Sequence, residues 1–341
     1  MGLAKGTCTM AETRPDLTIS IINHSNPEML HECLRSLYAG TTGRTFEVYV
    51  VDNATDQRGV PEMRSEFPEV TWLFNKERQG FSANHNQAMR LANGRHICIL
   101  NDDTFIHPGA FETLLQYLDS HAEVGMVGPR ILNADGTQQD CVFRFPTLLS
   151  EFADFTFLPG SLNRLKARDI DPAQHGNETI FADWLLGACL VIRRETMEQV
   201  GLLDSSLSPI VYMEEVDWCL RVHQAGWKIA YCPSAQIIHY GGQSTKPSGS
   251  GPDKMRLELL RTHITYYRKH YGLFQSLLVR GIYLATIPWN VALLTQTRLR
   301  RRIDPELYGR YMATQAEAGK LSLFWHGEMA RIHASPTATH L

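Results

Sequence analysis

Four times in the first hundred residues, a short apolar run rich in β-branched side chains stops on a carboxamide or a carboxylate. Leu17–Ile22 ends on Asn23, Phe46–Val51 on Asp52 and Asn53, Val70–Phe74 on Asn75, and His96–Leu100 on Asn101, Asp102 and Asp103. Helical patterns stand between some of these runs. Pro27 opens one, with Asn26 as N-cap, Leu30, Cys33, Leu34 and Leu37 on one face and Gly40 as the stop. Gly80–Ala92 is a second. Strands alternating with helices dictate an α/β fold with a mainly parallel sheet. In such sheets ligands bind at the carboxyl ends of the strands. One polar strand end is an ordinary turn, whereas four in series along one sheet edge describe a binding crevice.

The chain is long enough for one large domain or two unequal ones: 341 residues, 43% apolar and 20% charged. A net charge of −3 argues against nucleic acid as a partner. Seven cysteines are scattered with no CxxC pair, as expected of free thiols in a reducing compartment. Residues 1–14 lack a signal-peptide pattern and read as a flexible lead-in, so the Asn53 and Asn177 sequons read as chance.

Beyond the fourth strand, Pro108 opens a helix reaching Ser120, and Val124–Val127 is a short strand. Residues 130–180 read as irregular, with a hairpin turn at Asn133–Gly136 and a mobile polar loop over 159–179. Trp184–Ile192 is apolar around a close approach at Gly187-Ala188. Short elements follow: a helix at 195–200, a helix opening at Tyr212, strands at 228–232 and 236–239, and a polar turn at 241–245. A boundary at 248–251 separates the α/β domain (15–248) from a helical, basic and apolar region (252–341). Seventeen uncharged residues lie between Arg280 and Arg298, followed by Arg300, Arg301 and Arg302. Thr286, Asn290 and Thr297 give this segment a narrow polar stripe, which favours a helix lying on a membrane surface over a core helix or a span.

The chain contains no GxGxxG after the first strand, no P-loop and no HExxH. Asp102 and Asp103 are either a turn and helix cap or a hard-oxygen site suited to Mg²⁺ or Mn²⁺. An ion with so few carboxylates completes its shell with phosphates and water, which points to a nucleotide-diphosphate ligand. Glu214, Glu215 and Asp217 are either favourable charges in a helix's first turn or a source of a general base. Burial among Tyr212, Met213, Val216 and Trp218 would raise a carboxyl pKa. Glu214 and Asp217 share a helical face and Glu215 points about 100° away. His239 is structural or a ligand to metal or phosphate. Trp184 reads as core or pocket wall. The polar helix start Gly80–Asn86 suits hydrogen bonding to a ligand.

Taken in order, these pieces resemble the inverting family-2 glycosyltransferases of the GT-A fold, in their rhamnosyltransferase-like branch. The likeness runs from about Leu17 to Thr245 and includes Val51-Asp52-Asn53, Asn75 with Gly80-Phe81-Ser82 and Asn86, Leu100–Thr104, Gly187-Ala188, Glu214–Cys219, and His239 with Gly242-Gln243-Ser244. It implies that Asp52 contacts the nucleotide base, and that Asn23, Asn53, Asn75, Gly80, Phe81, Asn84, Asn86, Asp102, Trp184, Gly187 and Gln243 line the nucleotide-sugar or acceptor. Asp103, with Asp102, would hold Mg²⁺ or Mn²⁺, His239 would complete that site, and Glu215 would take the acceptor's proton. Two departures stand out: Asn101-Asp102-Asp103 replaces the family's common Asn-Pro-Asp, and Glu215 stands where Asp is usual. The implied partners are a nucleotide-diphosphate sugar, deoxythymidine-diphosphate-rhamnose by branch, and a glycan or lipid-linked glycan. The implied location is the cytoplasmic face of the membrane. The other readings weighed are a sugar-phosphate nucleotidyltransferase, which would want a basic Gly-rich loop after the first strand, and an inactive sugar-nucleotide-binding partner.

Overall fold

The computed structural model describes residues 14–24, 26–53, 55–157, 170, 176–207, 213–241 and 253–324. The strands are β1 (Leu17–Asn23), β2 (Phe46–Asp52), β3 (Thr71–Phe74), β4 (His96–Asn101), β5 (Thr104–Ile106), β6 (Val124–Leu132), β7 (Val142–Phe143), β8 (Ile180–Phe181), β9 (Trp184–Leu185), β10 (Cys189–Arg193) and β11 (Lys228–His239). The helices are α1 (Pro27–Gly40), α2 (Val60–Glu66), α3 (Phe81–Leu91), α4 (Ala110–Ser120), α5 (Leu148–Phe155), α6 (Arg194–Val200), α7 (Glu214–Gln224), α8 (Lys254–Leu299) and α9 (Pro305–Phe324).

The main sheet runs β3-β2-β1-β4-β10-β6-β11-β5. Its first four strands are parallel, β10 is antiparallel to both neighbours, and β11 runs parallel to β6. This is the GT-A architecture, with helices on both faces and a C-terminal helical extension. Register is what assembles the crevice. Asn23 pairs with Asp52, Ile22 with Asn101, and the Asn75 amide donates to the Asp52 carbonyl at 3.0 Å. The four polar ends therefore share one edge, because a strand buried on both faces can tolerate amides and carboxylates only where it leaves the core. β1 is buried along its whole length. Gly94 lets the chain enter β4: a Cβ there would sit 2.5 Å from the Thr18 nitrogen.

Several elements differ from the sequence reading. The 96–104 run is not one strand. It breaks at Asp102-Asp103, and Thr104–Ile106 turns away to pair antiparallel with β11. β6 continues to Leu132, and the irregular 130–180 stretch contains α5, whose Thr147 N-cap bonds the Ser150 amide at 3.2 Å. The two strands at 228–239 are one bulged strand. α2 is too short to carry a detectable period. α4 starts at Ala110 rather than Pro108, and the helix after the second acidic cluster's lead-in starts at Glu214, behind a left-handed Met213 (φ 69°). The hairpin turn at Asn133–Gly136 forms, with Gly136 at φ 82°. Most of the 159–179 loop, the 248–251 boundary and Gln243 lie outside the described residues.

α8 breaks at Gly272 (φ 82°). Before the break, Leu257, Leu260, Ile264, Tyr266 and Tyr267 share a core with Met213, Val216 and Leu220 of the α7 region. After the break, the polar stripe proves to face inward: Thr286 and Asn290 are buried, and the Asn290 amide group bonds the Phe155 carbonyl and the Phe157 amide, each at 2.8 Å. A surface-lying helix with its polar side toward water would have the opposite orientation.

Candidate active site

The break after β4 builds the centre of the crevice. The Thr104 hydroxyl bonds the Asn101 carbonyl at 2.8 Å and fixes the turn. β5 then pairs with the end of β11 in the register His239–Thr104. That register carries His239 Nε2 to 3.3 Å from Asp103 Oδ1, across 136 positions of sequence. Nδ1 of the same ring lies 2.7 Å from Gln139 Oε1, and Gln139 Nε2 in turn donates to Asn133 Oδ1 at 3.1 Å. Gln139 thus presents its carbonyl to the ring and holds the imidazole proton on Nδ1. The Nε2 lone pair then faces Asp103, with the Asn101 amide donating to it at 3.1 Å. An imidazole nitrogen oriented by a second-sphere acceptor beside a hard carboxylate is a donor pair that fits Mg²⁺ or Mn²⁺ with phosphate oxygens and water completing the shell. Among the described residues no group of three or more His, Cys, Asp or Glu side chains is arranged around a metal, so a protein-only cage is not formed.

Asp102 points elsewhere. Its Oδ2 accepts the His24 amide at 2.9 Å, closing the β1 end onto the β4 end. Burial pushes its carboxyl up to about 7, the Asp103 charge adds to this, and the His24 amide opposes it.

Asp52 and its neighbours form a connected layer. Asn23 Nδ2 donates to Asp52 Oδ2 at 3.0 Å, and the Thr55 amide and hydroxyl cap the carboxylate at 3.0 and 2.6 Å. Asn53 bonds both backbone groups of Gln79, at 3.0 and 2.8 Å. Asn75 reaches Asn84 Oδ1 at 2.6 Å, and Asn84 Nδ2 holds the Gln79 and Gly80 carbonyls. Asn86 uses both ends of its amide on the Leu203 backbone, at 2.7 and 3.1 Å. The polar start of α3, expected to bond a ligand, is therefore largely internal scaffolding. Asn84 and Asn86 are buried and shape the 75–80 loop and the 203 turn, while Gly80 caps α3 and Phe81 packs edge-on against His85. His85 Nδ1 lies 2.7 Å from the Ser20 hydroxyl, and burial lowers its pKa to about 3.

The second acidic cluster divides its roles. Asp217 is fully buried, and its carboxylate bonds Arg221 at 2.9 Å, Lys269 at 2.5 Å and His270 at 2.7 Å. Burial opposes ionisation, but His270, Arg221 and Lys269 together hold the carboxyl well below the usual range. It is a charge anchor between α7 and α8, and the expectation that it could serve as a base is corrected. Glu214 is buried on the same helical face. Glu215 projects toward the β9–β10 turn, where a Cβ on Gly187 would lie 3.7 Å from its Oε1. Its Oε2 is buried with no hydrogen-bond partner among the described residues, and burial raises the carboxyl to about 7. The next residue of that turn, Ala188, accepts the Asn101 amide at 3.0 Å. One short turn thus joins Glu215 to the Asp103–His239 end of the sheet. Trp184 flanks it, half-buried, stacked on Phe143 at 4.1 Å and donating to the Arg144 carbonyl at 2.9 Å.

Gln139, Thr55 and Phe143 escaped the sequence reading. Gln139 and Phe143 lie in the stretch read as irregular, and only the fold brings them to His239 and Trp184.

A mainly parallel sheet with amides and carboxylates at its carboxyl edge, a carboxylate–imidazole pair and, among the described residues, a separate carboxylate oxygen without a hydrogen-bond partner fit a fold of GT-A type. Comparison with known proteins agrees. The profile of "Glycosyltransferase like family 2" matches residues 15–256, and the chain belongs to that family. The N-acetylglucosaminyl-diphospho-decaprenol L-rhamnosyltransferase of Mycobacterium tuberculosis is 24% identical over 292 residues, covering 81% of this chain and 89% of its own. The low-salt glycan biosynthesis hexosyltransferase Agl10 of Haloferax volcanii is 26% identical over 251 residues, covering 70% and 71%. Together with the rhamnosyltransferase WbbL of Escherichia coli, 23% identical over 229 residues, covering 65% of this chain and 82% of its own, they support the rhamnosyltransferase-like branch. Among solved structures, the mannosyltransferase PcManGT of Pyrobaculum calidifontis, in complex with GDP-Man and Mn²⁺, superposes with a TM-score of 0.54 at 16% identity, covering 92% of this chain and 89% of that one.

Proposed function

We propose that this glycosyltransferase is metal-dependent and inverting, and moves L-rhamnose from a nucleotide-diphosphate donor to a hydroxyl of a glycan or lipid-linked glycan in cell-surface polysaccharide synthesis. The observation that carries the reading is the unpartnered buried oxygen of Glu215 beside Gly187, one backbone hydrogen bond from the Asp103–His239 end of the sheet. Glu215 takes the acceptor's proton as the acceptor oxygen bonds to the anomeric carbon. The bond from that carbon to the diphosphate oxygen breaks on the opposite face, and configuration inverts. A raised pKa suits a base that must hold and release a proton near neutrality. Mg²⁺ or Mn²⁺ held by Asp103 and His239 would neutralise charge on the departing diphosphate. Asp52, backed by Asn23, receives the nucleotide base. Asn75, Gly80 and Phe81 line the donor, and Asn53, Asn84, Asn86 and Asp102 hold the loops that form its walls. Trp184 with Gly187 borders the acceptor side, and Gln243 remains a donor contact on the family likeness alone.

The names of the mycobacterial and E. coli relatives support rhamnose, and the mycobacterial name supports a lipid-linked acceptor. Such an acceptor implies work at the cytoplasmic membrane face, with peripheral contact through the C-terminal helices. The test is a panel of nucleotide sugars, with and without Mn²⁺, scored for binding and slow donor hydrolysis. Glu215→Gln should bind donor normally and transfer nothing. Unchanged transfer by that variant would refute the assignment.

A further inference from the structure

The second half of α8 buries its uncharged polar side chains against the protein and leaves large apolar side chains exposed. Its inward stripe mixes apolar Val279, Tyr283 and Leu294 with polar Ser276, Thr286 and Asn290, all buried, and the Tyr283 hydroxyl reaches Glu151 at 2.5 Å. Its outward stripe is apolar: Phe274 is 70% exposed, Trp289 51% and Leu299 78%, with Leu278 between them. The charged residues from Leu273 to Leu299 are Arg280 and Arg298. Arg280 is turned inward, bonding the Ser322 and Leu323 carbonyls at 2.6 and 2.7 Å. The stripe is about 37 Å long at 1.5 Å per residue. Exposed Arg300, Arg301 and Arg302 follow at its end, against Asp304 and Glu306. Large apolar side chains exposed in a row along one helix face mark an interaction surface. The adjoining cations select the occupant, since an anionic lipid surface offers hydrocarbon to the stripe and phosphate to the arginines.

We propose that this face, Phe274–Leu299, docks flat on an anionic bilayer, with Arg300–Arg302 at the headgroups. Spanning is disfavoured because it would strip Asn290 and Tyr283 from their partners on α5. The inference gives the membrane contact its surface and mode, and it does not depend on the transferase reading. The test is co-sedimentation of the full chain with phosphatidylcholine vesicles, with and without phosphatidylglycerol, followed by alkaline carbonate extraction. Binding should favour the anionic vesicles and be reversed by carbonate. Phe274→Asp with Trp289→Asp should weaken it at least tenfold per residue, and Gln at 300–302 should weaken it about a hundredfold on anionic vesicles only. Circular dichroism confirms that the variants fold. Undiminished binding of the Asp variant would overturn the proposal, as would resistance to carbonate or a vesicle-free dimer that Phe274→Asp dissolves.

A separate observation concerns Asp217, two residues from Glu215 on α7. Its partners are Arg221 on α7 and Lys269 and His270 on α8. Lys269 also bonds Asp204 at 2.6 Å. We infer that His270 and Lys269, acting through Asp217, are positioning residues that fix the first turn of α7 and hence the Glu215 carboxylate. This rests on Glu215 being the base. His270→Ala should lower kcat at least tenfold with donor KM unchanged, and His270→Gln, whose amide nitrogen takes the place of the Nε2 that bonds Asp217, should restore most of it. A kcat unchanged at temperatures where the Ala variant is folded, or a failure of Gln to rescue, would overturn the inference. Normal transfer by Glu215→Gln would instead overturn the base assignment, so the two failures are separable.

Discussion

Glu215→Gln separates stability from catalysis in opposite directions. The carboxyl moves from its ordinary 4.5 to about 7 on burial, and a displacement of that size corresponds to about 3 kcal/mol. The folded state holds this proton more tightly than the unfolded chain. Between pH 4.5 and 7 the unfolded state therefore binds fewer protons, and stability falls as pH rises. The wild-type chain carries the full penalty above pH 7 and none of it below 4.5. Glutamine has the same shape and never ionises, so the variant should gain up to about 3 kcal/mol over wild type at pH 8.5 and little at pH 4.5, while losing transfer. Urea unfolding at the two pH values, beside a transfer assay, measures both effects. If the variant is no more stable at pH 8.5, or equally stabilised at both, the buried-carboxylate reasoning is wrong. The same ionisation predicts that kcat/KM of the wild type rises through an acid limb centred near pH 7.

Other outcomes follow from neighbouring contacts. Asp103→Ala should abolish Mn²⁺-dependent donor binding in calorimetry, and Gln139→Leu, which frees the His239 tautomer, should weaken Mn²⁺ affinity roughly 10–100-fold; metal-independent transfer by Asp103→Ala would count against the site. Asp217→Leu should cost about 3–5 kcal/mol in denaturant unfolding near neutral pH, because Arg221, Lys269 and His270 lose their shared carboxylate. The depressed Asp217 carboxyl stabilises above its ordinary 3.8, a contribution lost as pH falls below that value. Gly94→Ala should destabilise by at least about 2 kcal/mol, since the new methyl would press on the Thr18 backbone rather than on a side chain that can move; near-native stability would show that the β1–β4 junction yields.

The strand ends, the order of elements and the family were legible because they rest on local facts. An apolar run that stops on Asn or Asp marks where a buried strand meets solvent, and parallel pairing of such runs sets Asn23 opposite Asp52 with Asn101 one residue away, opposite Ile22. Asp103 and Glu215 stood out for the same reason, as carboxylates beside apolar stretches. Asp102 and Asp217 carried the same local signature and proved to have other duties, because a charge's role depends on what lies opposite it. Asp217 meets α8, and Asp102 meets the His24 amide.

The amino-acid pattern by itself determined the alternating α/β chain, the polar edge of the sheet and the uncharged segment before Arg298–Arg302, since period and polarity are properties of neighbours in sequence. Tertiary structure alone decided that His239 faces Asp103 with its proton held by Gln139, that Glu215 Oε2 is buried beside Gly187 with no hydrogen-bond partner among the described residues, and that α8 turns its polar stripe inward. Each of these depends on a partner tens to more than a hundred residues away, and long-range register and packing, not local propensity, select such partners.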